Sequence, residues 1–167
     1  MSISSITETT QYLSFKLGEE IFAVDVAKVR EILDVIAITK VPQTPDFMRG
    51  VINLRGSVVP VMDMRLKFGM PPTERTVNTC IIVMEVTEEG ETMVLGVLAD
   101  SVQEVLDMEP DQIEPAPRIG TRLRSDYIKG MGKHSDRFII ILDIDRICSV
   151  GELQGITESL PDQAPDR

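Results

Sequence analysis

The sequence contains few of the residues from which catalytic and metal sites are built. Among its 167 residues are one histidine, two cysteines and no tryptophan, and aromatic residues make up 4%. Cys80 and Cys148 lie far apart, each within an apolar run, so there is no CxxC pair to hold a structural zinc ion. We therefore expect no metal, and we expect both thiols to be buried and reduced.

Basic residues are also in short supply. The chain has 27 acidic and 17 basic residues and a net charge of -10, which repels phosphate backbones and anionic membranes. The longest apolar stretches, such as Phe138–Leu142, have the length of strands, and the N-terminal segment lacks the basic and apolar regions of a signal peptide. We expect a cytoplasmic protein with no membrane insertion and no bound nucleic acid.

Nucleotide-binding and catalytic motifs are missing as well. Lys133 follows a glycine, but Tyr127 stands where a P-loop needs its first glycine, so a hairpin turn is the better interpretation. His134 lies among polar neighbours and is predicted to be an exposed turn residue. Asp63 and Asp143 are the candidate carboxylate pair; each ends an apolar strand, where aspartate caps the following turn or helix. An enzyme would need one of them to be catalytic, whereas we predict capping, no catalytic residue and no cofactor.

The most informative feature that is present is an internal repeat. Residues 47–64 match residues 127–144 at an offset of 80, and residues 29–34 match residues 102–107 at an offset of 73. The difference places seven extra residues in the second copy, within the Pro-rich stretch Glu109–Arg124, where an insertion costs little. Two matches in the same order indicate a duplicated small domain rather than a solenoid. At the offset of 80, the identical pairs are Asp46 and Asp126, Gly50 and Gly130, and Asp63 and Asp143.

Each copy is predicted to consist mainly of strands joined by hairpins. Alternating residues at 13–17 indicate a strand that ends at Gly18, and a second strand follows at Ile21–Val26. A hairpin is predicted around Arg55–Ser57, and its counterpart in the second copy is Lys133–Asp136. Cys80–Val86 and Met93–Leu98 flank a further hairpin loop.

Helical spacing interrupts this strand pattern once in each copy. Val26, Val29, Ile32 and Leu33 recur at the spacing of about two turns of helix. The second copy repeats the spacing at Ala99, Val102, Val105 and Leu106. We therefore predict a short helix at both places.

Closure into small barrels is the expected architecture, because short strands with tight turns would otherwise leave open edges. The prediction is a mainly β fold with two barrels side by side, one at about residues 10–70 and one at about 78–148, within a domain at 10–150. Residues 151–167 lose apolar periodicity and gain Pro, Gly and acidic residues. We predict that this tail is mobile and dispensable for the fold.

Arg55 is the residue that the duplication leaves unexplained. It lies at the tip of the predicted hairpin, and Ser135 stands at the matching position of the second copy. A residue that the fold requires should recur in both copies, whereas a recognition residue need not. Because arginine is enriched at interface hot spots, Arg55 is a candidate binding residue, with a solvated turn arginine as the alternative.

The run at 50–65, GVINLRGSVVPVMDMR, closely resembles the signature of CheW-like domains, the coupling proteins of bacterial chemotaxis. Supporting segments lie at 11–18, 24–32, 44–47, 96–102 and 127–130, so the resemblance covers about residues 10 to 150. It implies two SH3-like five-stranded barrels and, because the domain fills the chain, a stand-alone adaptor without catalytic activity. The implied partners are the cytoplasmic hairpin tip of chemoreceptors and the regulatory domain of the CheA kinase.

The resemblance also implies a set of binding residues. Arg55 matches the arginine of the family's NLRG motif, together with Asn53 and Leu54, and the implied receptor groove lies between the barrels. A second matching stretch is associated with receptor and kinase contact and contributes Val26, Val29 and Glu31. Leu98 and Val102 are expected on the far wall of the groove.

Two alternatives to flagellar chemotaxis stay open at this point. The chain could serve a related chemosensory pathway that controls another output. A small barrel could also be a nucleic-acid-binding module, although the net charge and the lack of a basic aromatic surface oppose this.

Overall fold

The part of the chain that the structure describes folds mainly into strands. The computed structural model describes residues 10–115 and 127–147. Within these ranges it has eleven strands and two one-turn α-helices, which confirms the prediction of a mainly β fold. Their bounds are β1 Thr10–Leu17, β2 Glu20–Asp25, β3 Val29–Asp34, β4 Met48–Leu54, β5 Ser57–Asp63, α1 Met64–Lys67, β6 Cys80–Glu88, β7 Glu91–Ala99, β8 Ser101–Met108, β9 Ile113–Glu114, β10 Ile128–His134, β11 Arg137–Leu142 and α2 Ile144–Ile147.

The strands form two sheets. One sheet has the order β8-β1-β2-β11-β10-β9, and the other has the order β3-β6-β7-β5-β4. Each sheet curls around its own apolar core, because side chains from both of its edge strands meet in one cluster. In the first sheet Leu106 of β8 and Ile113 of β9 share a cluster, and in the second Leu33 of β3 and Ile52 of β4 do so. We call the two units the six-strand barrel and the five-strand barrel.

A third and larger core joins the two barrels. Strand β1 directs Phe15 toward this core, and β6 directs Met84 toward it, while neighbouring residues such as Tyr12 and Val83 point into the barrel interiors. The rings of Phe22, Phe68 and Tyr127 lie in a row within this joint core, tilted against one another, with ring centroids 5.7 and 6.1 Å apart. Both faces of the central strands are therefore buried, because successive side chains point in turn toward a barrel interior and toward the joint core.

The register of the strands shows the duplication. In the hairpin β4–β5, Gly50 lies opposite Val61 after a register shift, and in β10–β11, Gly130 lies opposite Ile141 after the same shift. The backbone N–H of Asp63 donates to the carbonyl of Phe47 over 2.7 Å, and Asp143 donates to Tyr127 over 2.8 Å. A one-turn helix follows each aspartate.

The barrels, however, do not coincide with the repeats. The hairpin β1–β2 belongs to the first repeat but pairs with β8 and β11 of the second. Conversely, β6–β7 pairs with β3 and β5 of the first repeat. The predicted boundaries at 10–70 and 78–148 separate the sequence copies, whereas each barrel takes its first hairpin from the other copy. The two copies are thus intertwined.

The prediction of helices at Val26–Leu33 and Ala99–Leu106 was wrong. Only Val26–Lys28 forms a short 3-10 helix, and the residues from Val29 onward form β3, while Ser101–Met108 forms β8. Burial alternates along β3, and the strand pairs with β6 over its length. The apolar spacing of these residues is compatible with a helix or a strand, and backbone pairing with the adjacent strand selects the strand.

The thiol of Cys80 is free and buried, as predicted. Cys148, the tail 151–167 and part of the Pro-rich stretch lie outside the described residues. Within the described ranges, no helix is long and apolar enough to cross a membrane.

Candidate partner-binding site

Arg55 lies where the sequence places it, in the two-residue turn between β4 and β5. Arg55 and Gly56 have φ values of 51° and 89°, the left-handed pair that a tight hairpin with right-twisted strands requires. Asn53 holds this turn, because its Oδ1 accepts a hydrogen bond of 2.9 Å from the backbone N–H of Gly56. Asn53 therefore shapes the turn from which Arg55 projects.

The guanidinium of Arg55 forms an ion pair with Glu31, and both of its terminal nitrogens contact the carboxylate. The hydrogen bond and the charge of Glu31 raise the pKa of Arg55 above its ordinary value. Glu31 lies on β3 and Arg55 at the end of β4, which are the two edge strands of the five-strand barrel. The ion pair thus bridges the gap between the edges while leaving 70% of the Arg55 side chain exposed.

A surface depression of about 640 Å³ opens beside this ion pair. Its apolar lining includes Leu54, Val58 and Met93, and Glu31 and Arg55 stand among the charged groups that line it. An apolar centre with a charged rim is the arrangement of protein–protein interfaces. We call this surface the Arg55 depression.

The structure divides the expected site residues among several places. Leu54, Arg55 and Glu31 line the Arg55 depression, whose walls all belong to the five-strand barrel rather than to a groove between barrels. Val26, Val29 and Val102 pack against the joint core of the two barrels. Leu98 is buried in the five-strand barrel and lines a different depression.

Most residues that line the Arg55 depression were not predicted from the sequence, among them Arg30, Val58 and Met93. Arg30 stands at its edge and pairs with Glu85 over 3.1 Å, while Val58 and Met93 contribute apolar surface. The exposure of Val58 could have been predicted from the alternation along β5, since Val58 lies next to the turn and precedes the buried Val59. Its side chain is 39% exposed.

The six-strand barrel has a depression at the equivalent place. It measures about 230 Å³ and is lined by Glu104 and Ser135, the repeat counterparts of Glu31 and Arg55. Arg137 also lines it, as does His134, which is the last residue of β10 and half-buried, so its prediction as an exposed turn residue was wrong. Both barrels therefore have a depression at this end, but the one in the six-strand barrel is smaller and has a serine at the position of Arg55.

Asp63 has a structural role. Its side chain is fully buried and caps α1 by accepting from the backbone N–H of Arg65 over 3.1 Å, as predicted. It also accepts from the N–H and the hydroxyl of Thr73, at 2.9 and 2.8 Å. Both carboxylate oxygens are thus committed to holding the segment after α1, which leaves Asp63 unsuited to acid–base chemistry.

Asp143 is less constrained than Asp63. Its carboxylate pairs with Arg146 over 3.6 Å, and its side chain is 27% exposed. Among the residues that the structure describes, no three His, Cys, Asp or Glu side chains are grouped closely enough to hold a metal ion.

Comparison with known proteins gives a consistent result. The family model of the CheW-like domain matches residues 11–152. The chain is 36% identical over 143 residues to "Chemotaxis protein CheW" of Klebsiella aerogenes, covering 86% of this chain and 84% of that protein. It is 32% identical over 142 residues to "Probable chemotaxis protein CheW" of Rhizobium etli, covering 85% and 89%.

A solved structure is similar to the whole arrangement. It is described as the scaffolding protein TtCheW from Thermoanaerobacter tengcongensis. The TM-score is 0.75 at 32% sequence identity, and the match covers 86% of this chain and 90% of that one.

Proposed function

The chain belongs to the CheW-like domain family, and from this premise we propose that it is a non-enzymatic adaptor that couples chemoreceptors to the CheA histidine kinase. The relatives carry the name of chemotaxis proteins, and the similar solved structure is named a scaffolding protein. The adaptor would act in the cytoplasm, at arrays of membrane-bound receptors, through its partners.

The observation that carries the proposal is the exposed Arg55–Glu31 pair beside an apolar depression. The counterpart of Arg55 in the six-strand barrel is Ser135, and that barrel closes with the same strand register. A barrel of this kind therefore does not need the arginine. We propose that it serves recognition.

The receptor partner fits the chemistry of this surface. A receptor tip is a helical hairpin, which offers carboxylates and the carbonyl groups at its helix ends to a held guanidinium. Leu54 and Val58 provide apolar contact next to the charge. We propose that Val26, Val29 and Glu31 contribute to both receptor and kinase contact, because this stretch leads from the joint core to the same depression.

A titration with a receptor signalling fragment tests the proposal. Arg55→Ala should weaken binding on the order of tenfold, the loss expected of an interface hot spot. Arg55→Lys should restore binding only in part, because lysine keeps the charge but loses the planar fork. Arg137→Ala is the matched control, since this exposed arginine stands on the rim of the equivalent depression of the other barrel.

Thermal melts of all four proteins accompany the titration. Equal affinities would remove Arg55 from the binding site. A large fall in the melting temperature of Arg55→Ala would instead make its role structural.

A further inference from the structure

The five-strand barrel carries a second depression, separate from the one beside Arg55. It measures about 230 Å³ and lies between the segment 35–38, which follows β3, and the guanidinium groups of Arg49 and Arg75. None of the residues that line it lines the Arg55 depression. We call it the Arg49 depression.

Its floor is apolar. Leu98, only 6% exposed, lies at the bottom, and Val35 and Ile38 pack against the same core as Leu98. Ile36 stands at the edge with 39% of its surface exposed. Together these side chains give the depression a small apolar floor.

The rim of the Arg49 depression is positively charged, although the chain as a whole has a negative net charge. Arg30, Arg55, Arg65 and Arg146 each pair with a carboxylate. Within residues 10–115 and 127–147, neither Arg49 nor Arg75 does so; Arg75 donates to the carbonyl of Val35 over 3.2 Å. The two arginines keep donors available for an external carboxylate.

The repeat provides an internal control for this feature. The offset that relates β2 to β7 puts Asp25 at the position of Leu98, and there its carboxylate caps the 3-10 helix by accepting from Ala27 over 2.9 Å. Lys129 takes the position of Arg49. The six-strand barrel thus forms without an apolar residue at this place, so the floor at Leu98 is not a requirement of the fold.

We propose that the Arg49 depression is a docking site for an acidic segment of a partner protein. An aliphatic side chain of the segment rests on Leu98 and Ile36, and a neighbouring carboxylate receives hydrogen bonds from Arg49 and Arg75. The volume is below the roughly 300–1,000 Å³ of small-molecule pockets, which favours side chains of a polypeptide as occupants. Because the depression shares no residue with the Arg55 depression, one adaptor can hold two partners at once.

The test uses the full chain and a fluorescein-labelled synthetic peptide of alternating Glu and Leu pairs, with a Gln-for-Glu version as its comparison. Fluorescence anisotropy should show binding of the Glu peptide and weaker binding of the Gln peptide. Arg49→Glu should reduce affinity by about tenfold or more, the effect of losing a charge-assisted hydrogen bond. Lys129→Glu, at the equivalent position of the other barrel, should reduce it far less.

Arg55→Ala separates this site from the proposed adaptor site, because it should leave peptide affinity unchanged whatever it does to receptor binding. Circular dichroism of each variant verifies the fold. Failure of the peptide to bind, equal binding of the Gln peptide, or equal losses from Arg49→Glu and Lys129→Glu would overturn the proposal. So would a large gain in affinity on truncation after Ile147, because the chain's own acidic tail would then be the occupant.

Discussion

Glu31 on β3 and Glu104 on β8 occupy the same position of the repeat, yet among the described residues only Glu31 forms an ion pair with an arginine. Each follows a register shift in its strand, with Glu31 opposite Val83 and Glu104 opposite Ser14. In the six-strand barrel the hydroxyl of Ser14 bonds to both the N–H and the carbonyl of Glu104. The six-strand barrel therefore holds its edge strand β8 through a serine hydroxyl bonded to the strand's backbone, whereas the five-strand barrel has an exposed ion pair at its edge strand β3.

The first prediction concerns this ion pair. Glu31→Gln should leave the melting temperature almost unchanged, because exposed ion pairs contribute little to stability. It should weaken binding of the receptor fragment by a few fold, less than Arg55→Ala does, because the guanidinium remains but is no longer held. Glu104→Gln is the matched control and should change neither quantity. A clear loss of stability in Glu31→Gln would show that the pair holds the barrel closed.

The second prediction compares the two repeat-related aspartates. Asp63→Ala should reduce the free energy of unfolding by about 3 kcal/mol, since it removes a cap and two further hydrogen bonds to a buried carboxylate. Asp143→Ala should cost about 1 kcal/mol or less, because its side chain is partly exposed and its ion pair is long. Urea unfolding measures both. Receptor binding of Asp63→Ala, measured below its melting transition, should survive; a stable but inactive variant would contradict the structural role.

The third prediction concerns two glycines of β4 and its turn. A Cβ at Gly50 would lie 2.1 Å from the carbonyl oxygen of Thr39, and the φ of Gly50 is 140°, so Gly50→Ala combines a backbone clash with strain. Gly56 has a φ of 89° but open space around it, so Gly56→Ala bears the strain alone. We expect a loss of about 1–2 kcal/mol for Gly56→Ala and clearly more for Gly50→Ala. Similar midpoints of urea unfolding for the two variants would refute the close approach at Thr39.

The fourth prediction concerns alkaline pH. Burial raises the pKa of the Cys80 thiol above its ordinary 9.0, and the Asp34 carboxylate raises it further. Burial also raises the pKa of the Tyr12 hydroxyl above 10.0, with a smaller contribution from Asp25. Because both groups ionise first in the unfolded chain, their contribution is complete below about pH 9 and is lost as the pH rises through the folded-state values.

Urea unfolding at a series of pH values measures this effect. The midpoint for the wild type should begin to fall above about pH 9. The double variant Cys80→Ala/Tyr12→Phe, although less stable at neutral pH, should show a shallower decline over the same range. Parallel declines in the two proteins would assign the alkaline loss to other groups.

Local chemistry made much of the hairpin structure predictable. Gly18 and Gly56 marked turns, the matched blocks at offset 80 marked equivalent hairpins, and the position of Asp63 after an apolar strand marked a cap. Each of these signals depends on residues close together in the sequence. The bonds from Thr73 to Asp63 come from ten residues away and had no such signal.

Features that depend on distant strands escaped prediction. The spacing of Val26, Val29, Ile32 and Leu33 fits one face of a helix. In the fold, however, β6 lies beside this segment, and hydrogen bonding between the two strands outweighs the local preference for a helix. The apolar pattern likewise indicates which residues are buried, but it does not indicate which copy they pack against. The exchange of hairpins between the copies could therefore not be predicted from the sequence.

The site was only partly predictable for the same reason. Arg55 stood out because the second copy lacks it. Its partner Glu31 lies 24 residues away on the opposite edge strand, and nothing in the sequence joins the two. Leu98 and Val102 are separated by three residues, yet the turn between β7 and β8 sends them to different cores.

The exchanged hairpins also determine the order in which the strands can pair while the chain is being synthesised at the ribosome. The five-strand barrel has all of its strands once Ala99 has been made, whereas β1 and β2 must pair with strands that run as far as Leu142. At translation rates of about 5–20 residues per second, the apolar hairpin that includes Phe15 and Phe22 stays without its last partner for on the order of ten seconds. The earliest strands of the chain are thus among the last to be enclosed, and until then their apolar side chains lack their final packing partners.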